Sequence, residues 1–65
     1  MKPGDLIRLK RNLLGPGYAC EAGDLCFVLR HEGKTQDEHE LLEVLWEGKS
    51  IQIVSGVCEV INETG

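Results

Sequence analysis

The sequence predicts a small all-β domain of five short strands, and two stretches of the chain give the clearest reason. Residues 41–54 read LLEVLWEGKSIQIV, in which apolar and polar side chains alternate on both sides of a Gly-Lys pair. Such alternation is typical of half-buried strands, and the glycine between the two runs is typical of a hairpin turn. Residues 25–31 form another run, apolar at nearly every position, which favours a strand covered on both faces.

The register of this hairpin follows from the face that can be buried. Leu42, Val44 and Trp46 are predicted to face the core, because the opposite phase would bury two glutamates. A two-residue turn at the Gly-Lys pair then sets Trp46 opposite Ile51 and Val44 opposite Ile53. We therefore expect Trp46 to be a core residue.

The N-terminal part of the chain predicts a turn followed by the first strand. After the Gly4-Asp5 turn, residues 6–10 alternate, with Ile7 and Leu9 facing the core. The two charged side chains on the other face either contact water or mark a protected sheet edge. The dipeptide Gly23-Asp24 repeats the entry signal before residues 25–31, which place Leu25, Phe27 and Leu29 on one face and Cys26 and Val28 on the other.

Residues 11–23 have no lasting period and contain Gly-Pro-Gly, which predicts a long loop between strands one and two. The loop is too apolar to be free coil, so we expect it either to cover one open end of the sheet or to be a binding loop. Residues 32–38 are predicted to be a polar connection that turns at Gly33. Residues 55–56 predict a break of one 3₁₀ turn before the last strand at 57–62, and residues 62–65 a frayed tail.

The composition is that of a folded globular domain. The chain has 65 residues, of which 42% are hydrophobic and 28% charged, and we predict a single domain over residues 1–65. The apolar runs are too short to span a membrane, and the first residues lack the apolar segment of a signal peptide. We therefore expect a cytoplasmic protein with no membrane contact.

The three cysteines, Cys20, Cys26 and Cys58, cannot form a complete set of disulfides within one chain, which fits a reducing compartment. We expect them to be small buried side chains. With His31 or His39 they would supply four zinc ligands, but no CxxC or HxxxH spacing is present. The sequence therefore predicts no metal and no cofactor. No serine, histidine and aspartate can be placed together, so we predict no catalytic residue, no enzyme activity and no small-molecule substrate.

The net charge of −4 conceals an asymmetry along the chain. Residues 1–13 carry four basic side chains and one acidic one, whereas residues 14–65 carry three basic and ten acidic side chains. Arg8, Lys10 and Arg11 are therefore the candidate nucleic-acid contacts, with Tyr18 as a stacking partner. So few cations on an acidic body predict weak binding.

The order of these elements resembles the SH3-like small barrel. The segments GDLIRL (4–9), VLWEG (44–48) and CEVI (58–61) are similar to those of Tudor-like and KOW-like barrels, and of short uncharacterised phage proteins built the same way. The resemblance implies a five-stranded SH3-like barrel with a long loop between strands one and two. It also implies a noncatalytic protein-interaction module, with nucleic-acid binding, as in KOW-like barrels, as the alternative.

Two leucines predict where a partner would bind. Leu41 and Leu45 lie on the outward phase of their strand, about 13 Å apart. We expect them to form an interface with a protein partner or with a second copy in a homodimer, or else to be covered by the long loop. Its apolar residues Leu13, Leu14 and Tyr18 are the other interface candidates.

Overall fold

The computed structural model describes residues 1–61, which form an all-β fold, as predicted. Five strands form one antiparallel sheet in the order β6-β5-β4-β1-β7, and β2 and β3 form a separate hairpin. No helix in residues 1–61 is long and apolar enough to cross a membrane. The elements in chain order are β1 (Leu6–Leu9), β2 (Leu13–Gly15), β3 (Tyr18–Cys20), β4 (Leu25–Lys34), β5 (Glu40–Trp46), β6 (Lys49–Val54), a 3₁₀ turn (Ser55–Val57) and β7 (Cys58–Val60).

The number of strands differs from the prediction because the long loop is itself a hairpin. Within residues 11–23, β2 and β3 pair around Pro16 and Gly17, and Gly17 has a φ of 82°. Proline followed by glycine suits a type II turn. The two strands have only three residues each, too few to show an alternation in the sequence. The described chain therefore has seven strands rather than five.

The five-stranded sheet is open in the described part of the chain. Strands β6 and β7 are its two edges, and the structure pairs each of them with one neighbour. β1 lies between β4 and β7, so the interpretation of its charges as edge protection was wrong. β7 ends at Val60. The tail predicted at residues 62–65 lies outside the described residues.

Two similar turns precede β1 and β4, at residues 2–5 and 21–24, and we call them the Gly-Asp turns. Their glycines, Gly4 and Gly23, have φ values of 93° and 97°, a conformation that glycine adopts without strain. In each turn the aspartate Oδ2 accepts the backbone N–H three residues earlier at 3.0 Å. The repeated dipeptide therefore marks a repeated structure.

The Gly-Asp turns hold the two ends of the β1–β4 pair. At one end, the Leu9 N–H donates to the Asp24 carbonyl at 2.9 Å and the Leu9 carbonyl accepts from Gly23 at 2.8 Å. At the other end, the Val28 N–H donates to the Asp5 carbonyl at 3.0 Å, and the Val28 carbonyl accepts from the Gly4 N–H at 2.8 Å. The strands are antiparallel, so one hydrogen-bonding arrangement is used twice.

The core lies on the inner face of the sheet, and the β2–β3 hairpin packs against part of it. The phases predicted for β1, β5 and β6 are confirmed, and the three cysteines are buried as expected. Leu13 and Tyr18 of the hairpin pack against this cluster. Its buried members are Ile7, Leu9, Cys20, Cys26, Val28, Leu42, Val44, Trp46, Ile51, Ile53 and Cys58.

The β5–β6 hairpin has the predicted faces but a different register. The turn residues are Glu47 and Gly48, both with positive φ, so Trp46 pairs with Lys49 and not with Ile51. A type I′ turn requires positive φ at both central positions, and Gly48 provides the second. In the observed register Leu42 pairs with Ile53, whereas the predicted register paired Ile53 with Val44.

β4 extends beyond its predicted end at His31. It continues to Lys34, and Gly33, predicted as the turn residue, lies at the second of two register shifts against β5. The chain turns later, where the Thr35 N–H donates to the His39 carbonyl at 2.8 Å. The sequence did not predict this extension of β4, because the polar residues of an exposed strand end cannot be distinguished from those of a loop.

We predict that the indole of Trp46 stabilises the fold by packing more than by its hydrogen bond. Trp46→Ala should lower the free energy of unfolding by about 3–5 kcal/mol, because it empties a core position. Trp46→Phe keeps an aromatic ring and loses the N–H that donates to the Asp24 carboxylate, and should cost about 2 kcal/mol. Urea titrations followed by circular dichroism test this. Equal losses in the two variants would contradict it.

Candidate functional site

The face of the sheet opposite the core, which we call the outer face, carries large exposed apolar side chains. In β4, Cys26 and Val28 are buried, so Leu25 and Phe27 point outward with 53% and 49% of their surface exposed. Leu29, at the first register shift, is 43% exposed. The prediction that this strand is covered on both faces is therefore wrong, because only its inner face is buried.

These side chains continue across neighbouring strands. Phe27 pairs with Leu6 on β1 and with Leu45 on β5, so the three residues form a row across the sheet. Leu45 is 39% exposed and Leu6 is half-buried. We call Leu25, Phe27, Leu29 and Leu45 the outer patch. Its exposed area is on the order of 300 Å², in the range of the largest apolar patches on monomeric proteins.

Ion pairs lie on two sides of the outer patch. On the β1 side, Arg8 binds the Glu59 carboxylate through Nη2 at 2.8 Å and Nε at 3.1 Å. On the opposite side, Arg30 Nε lies 2.9 Å from Glu43 Oε1. The outer face thus has an apolar centre and a charged rim of both signs. This is the arrangement found in protein–protein interfaces.

The structure separates the predicted interface residues into two places. Leu45 belongs to the outer patch, and Leu41 lies on the same face but is half-buried. Leu13 and Tyr18 pack against the core, whereas Leu14 is 87% exposed on the separate hairpin. Of the two roles predicted for the loop, covering the core is the one its packing shows. It leaves Leu45 uncovered.

A groove lies between the β2–β3 hairpin and the β6 edge. It has a volume of about 210 Å³ and an apolar lining that includes Leu13, Tyr18 and Val57. Tyr18 lies directly over Gly15, where a Cβ atom would come within 2.4 Å of the phenol ring. Glycine is therefore required at position 15 for the ring to cross the hairpin.

The predicted nucleic-acid residues do not form one cationic site. Arg8 lies on the outer face and is neutralised by Glu59. Lys10 and Arg11 follow the end of β1 and are exposed. A phosphate would have to compete with Glu59 for Arg8. At most two of the three predicted cations are therefore available to a phosphate. The geometry therefore gives little support to phosphate binding.

A contact that was not predicted joins the second Gly-Asp turn to the core. The indole N–H of Trp46 donates to Asp24 Oδ2 at 3.0 Å. The backbone N–H of Glu21 and then this indole hold the pKa of Asp24 below its ordinary value. An aspartate that follows a glycine predicts a turn. Nothing in the sequence predicts that this aspartate also accepts the indole N–H of Trp46.

The cysteines are suited to packing rather than chemistry. Burial raises the pKa of all three thiols, that of Cys26 to about 11, so at neutral pH they are protonated and poor nucleophiles. Within residues 1–61, no group of histidine, cysteine, aspartate and glutamate side chains has an arrangement that could hold a metal ion. The absence of a metal remains a prediction for the whole chain.

We predict that the fold loses stability in acid, with Asp24 and Glu40 among the carboxylates that contribute. The pKa of Glu40 is also lowered, first by its hydrogen bond with the Met1 ammonium group. The ordinary pKa values are 3.8 for Asp24 and 4.5 for Glu40. A carboxylate whose pKa is lowered in the fold stabilises the protein fully at any pH above its ordinary pKa. That stabilisation is lost as the pH falls through the pKa of the folded protein. The melting temperature should therefore decrease as the pH is lowered from about 4.5.

Asp24→Asn provides the control for this acid dependence, since it removes one carboxylate whose pKa is lowered in the fold. Its melting temperature should fall less between pH 5 and pH 2 than that of the parent chain, by the share that Asp24 contributes. Thermal melts followed by circular dichroism over this range provide the measurement. An identical loss in parent and variant would show that Asp24 titrates alike in the folded and unfolded chain.

Comparison with known proteins assigns this chain to no family. No protein-family model matches it, and neither does any curated protein or solved structure. The outer patch with its rim of ion pairs, the groove and the buried thiols are therefore the basis for an argument about function.

Proposed function

We propose that this chain is a noncatalytic protein-interaction module that binds its partner through the outer patch. The observation that carries the proposal is the row formed by Leu6, Phe27 and Leu45 across three strands, extended along β4 by Leu25 and Leu29. Single exposed leucines are ordinary on protein surfaces, but a contiguous patch around a phenylalanine favours binding. The partner is another protein or a second copy of the chain.

The rim supports a protein partner over a lipid surface. Arg8 with Glu59, and Arg30 with Glu43 and Glu32, place two positive and three negative charges around the patch, so its surroundings have no strong single sign. Polar groups of both signs suit the varied rim of a protein interface. An aromatic residue at the centre, as Phe27 is, suits an anchor in such an interface.

We also propose that the fold is a variant of the SH3-like barrel in which the sheet is open. Three features support the relation: β1 pairs with both β4 and β7, a hairpin follows β1, and a 3₁₀ turn precedes the last strand. This relation fits an accessory protein, such as a short phage protein, acting in the cytoplasm. Nucleic-acid binding through Arg8, Lys10 and Arg11 is the weaker proposal, because Glu59 neutralises the first of them.

We predict that Phe27→Asp abolishes partner binding without unfolding the chain, because the ring is half exposed and its removal leaves no cavity in the core. Tagged parent and variant chains, incubated with a lysate of the source cells, should differ in a specific captured protein identified by mass spectrometry. Melting curves of the two chains should agree within a few degrees.

Leu14→Asp is the matched control, since it places the same charge at a more exposed apolar site outside the outer face. It should capture the same proteins as the parent. The proposal fails if Phe27→Asp retains every protein that the parent captures and also associates with itself like the parent, or if Leu14→Asp loses the same proteins.

A further inference from the structure

The arrangement of charges around Phe27 is complementary to itself. Arg8 lies on β1, the strand next to β4, and pairs with Leu25, two residues before Phe27. Glu43 lies on β5, on the other side of β4, two residues from Leu45, which pairs with Phe27. The two charged residues are therefore at diagonally opposite positions around Phe27. From the spacing of strands and residues, each lies about 8 Å from Phe27. A cation and an anion thus flank the centre of the outer patch at equal distances in opposite directions.

We infer that the outer patch binds a second copy of this chain, face to face about a two-fold axis that passes over Phe27. This inference rests on the proposed function and names its partner. With the axis perpendicular to the line from Arg8 to Glu43, each Arg8 lies over Glu43 of the second copy, and the two Phe27 rings meet. A symmetric dimer makes each contact twice, so one complementary pair gives two intermolecular ion pairs.

The existing ion pairs do not prevent this contact. Arg8 and Glu59 are each about half exposed, Arg30 is 70% exposed and Glu43 27%, so both pairs reach the surface and contribute little to folding, and both stay intact when the second copy binds. In the dimer, Arg8 lies between Glu59 of its own chain and Glu43 of the second copy. The apolar contact would partly remove both pairs from water, which strengthens the attraction but costs desolvation free energy, so the pairs fix the orientation of the dimer more than they add to its affinity.

The available area predicts a weak dimer. Two outer patches with their rims would bury on the order of 1,000 Å², the lower limit of specific interfaces. After the entropy cost of association, such an area is consistent with a dissociation constant in the micromolar range. The net charge of −4 on each chain opposes association, and the charged rim side chains Arg8, Arg30, Glu32, Glu43 and Glu59 sum to −1, so the rim itself adds little to that repulsion.

Sedimentation velocity on the purified chain between 1 µM and 1 mM tests the inference. The mass should rise from 7.2 kDa toward twice that value within this range. Phe27→Asp should stay at the mass of one chain throughout, and Leu14→Asp should associate like the parent. A parent chain that remains monomeric at 1 mM would overturn the inference.

Charge reversal tests the two-fold arrangement itself. Arg8→Glu alone and Glu43→Arg alone each set like charges against each other twice in a homodimer, and each should weaken association at least tenfold. An equimolar mixture of the two variants restores both opposite-charge contacts in the mixed dimer, so its affinity should return to within about threefold of the parent. Circular dichroism confirms that each variant is folded.

The outcomes separate this inference from the proposed function. If the pure chain is monomeric but Phe27→Asp loses a protein captured from lysate, the outer patch binds a different protein and self-association is wrong. If the chain dimerises but mixing the reversed variants does not restore affinity, the two-fold arrangement is wrong. If Phe27→Asp changes neither association nor capture, both proposals fail.

Discussion

The fold depends on the pairing of β1 with β4, which the two Gly-Asp turns hold at both ends. Gly4 and Gly23 supply the backbone conformation, and Asp5 and Asp24 cap the turns with their side chains. β1 and β4 are both internal strands of the sheet, so β7 on one side and β5 with β6 on the other are placed through this pair. A change in its register by one residue would exchange the buried and exposed faces of β4.

That pairing also determines which face of the molecule is available for binding. Asp24 holds the Trp46 indole on the inner side, where the β2–β3 hairpin completes the core. Within residues 1–61, the buried side chains of the sheet lie on its inner face. Phe27 and its neighbours on the outer face remain exposed. The candidate site is therefore the uncovered half of the sheet.

The sequence correctly predicted the buried residues of strands in which only one face is apolar. Alternation placed Ile7, Leu42 and Trp46 in the core, and the repeated Gly-Asp dipeptide marked both strand entries. It was not informative where both phases of a strand are apolar, as for Phe27, because exposure there depends on whether another layer exists. Nor could it show how far the β5–β6 register would shift, since turns at Glu47-Gly48 and Gly48-Lys49 preserve the same faces.

Hydrogen exchange of the backbone amides tests most directly whether the β1–β4 pair holds the fold. The account predicts that the amides of Leu9 and Val28, with those of Gly4 and Gly23 in the turns, exchange only through global unfolding and are among the slowest in the chain. Amides of the β5–β6 hairpin should exchange no more slowly than these. If the hairpin amides remain protected while the Leu9 and Val28 amides exchange rapidly, the hairpin holds the fold, and the central claim is contradicted.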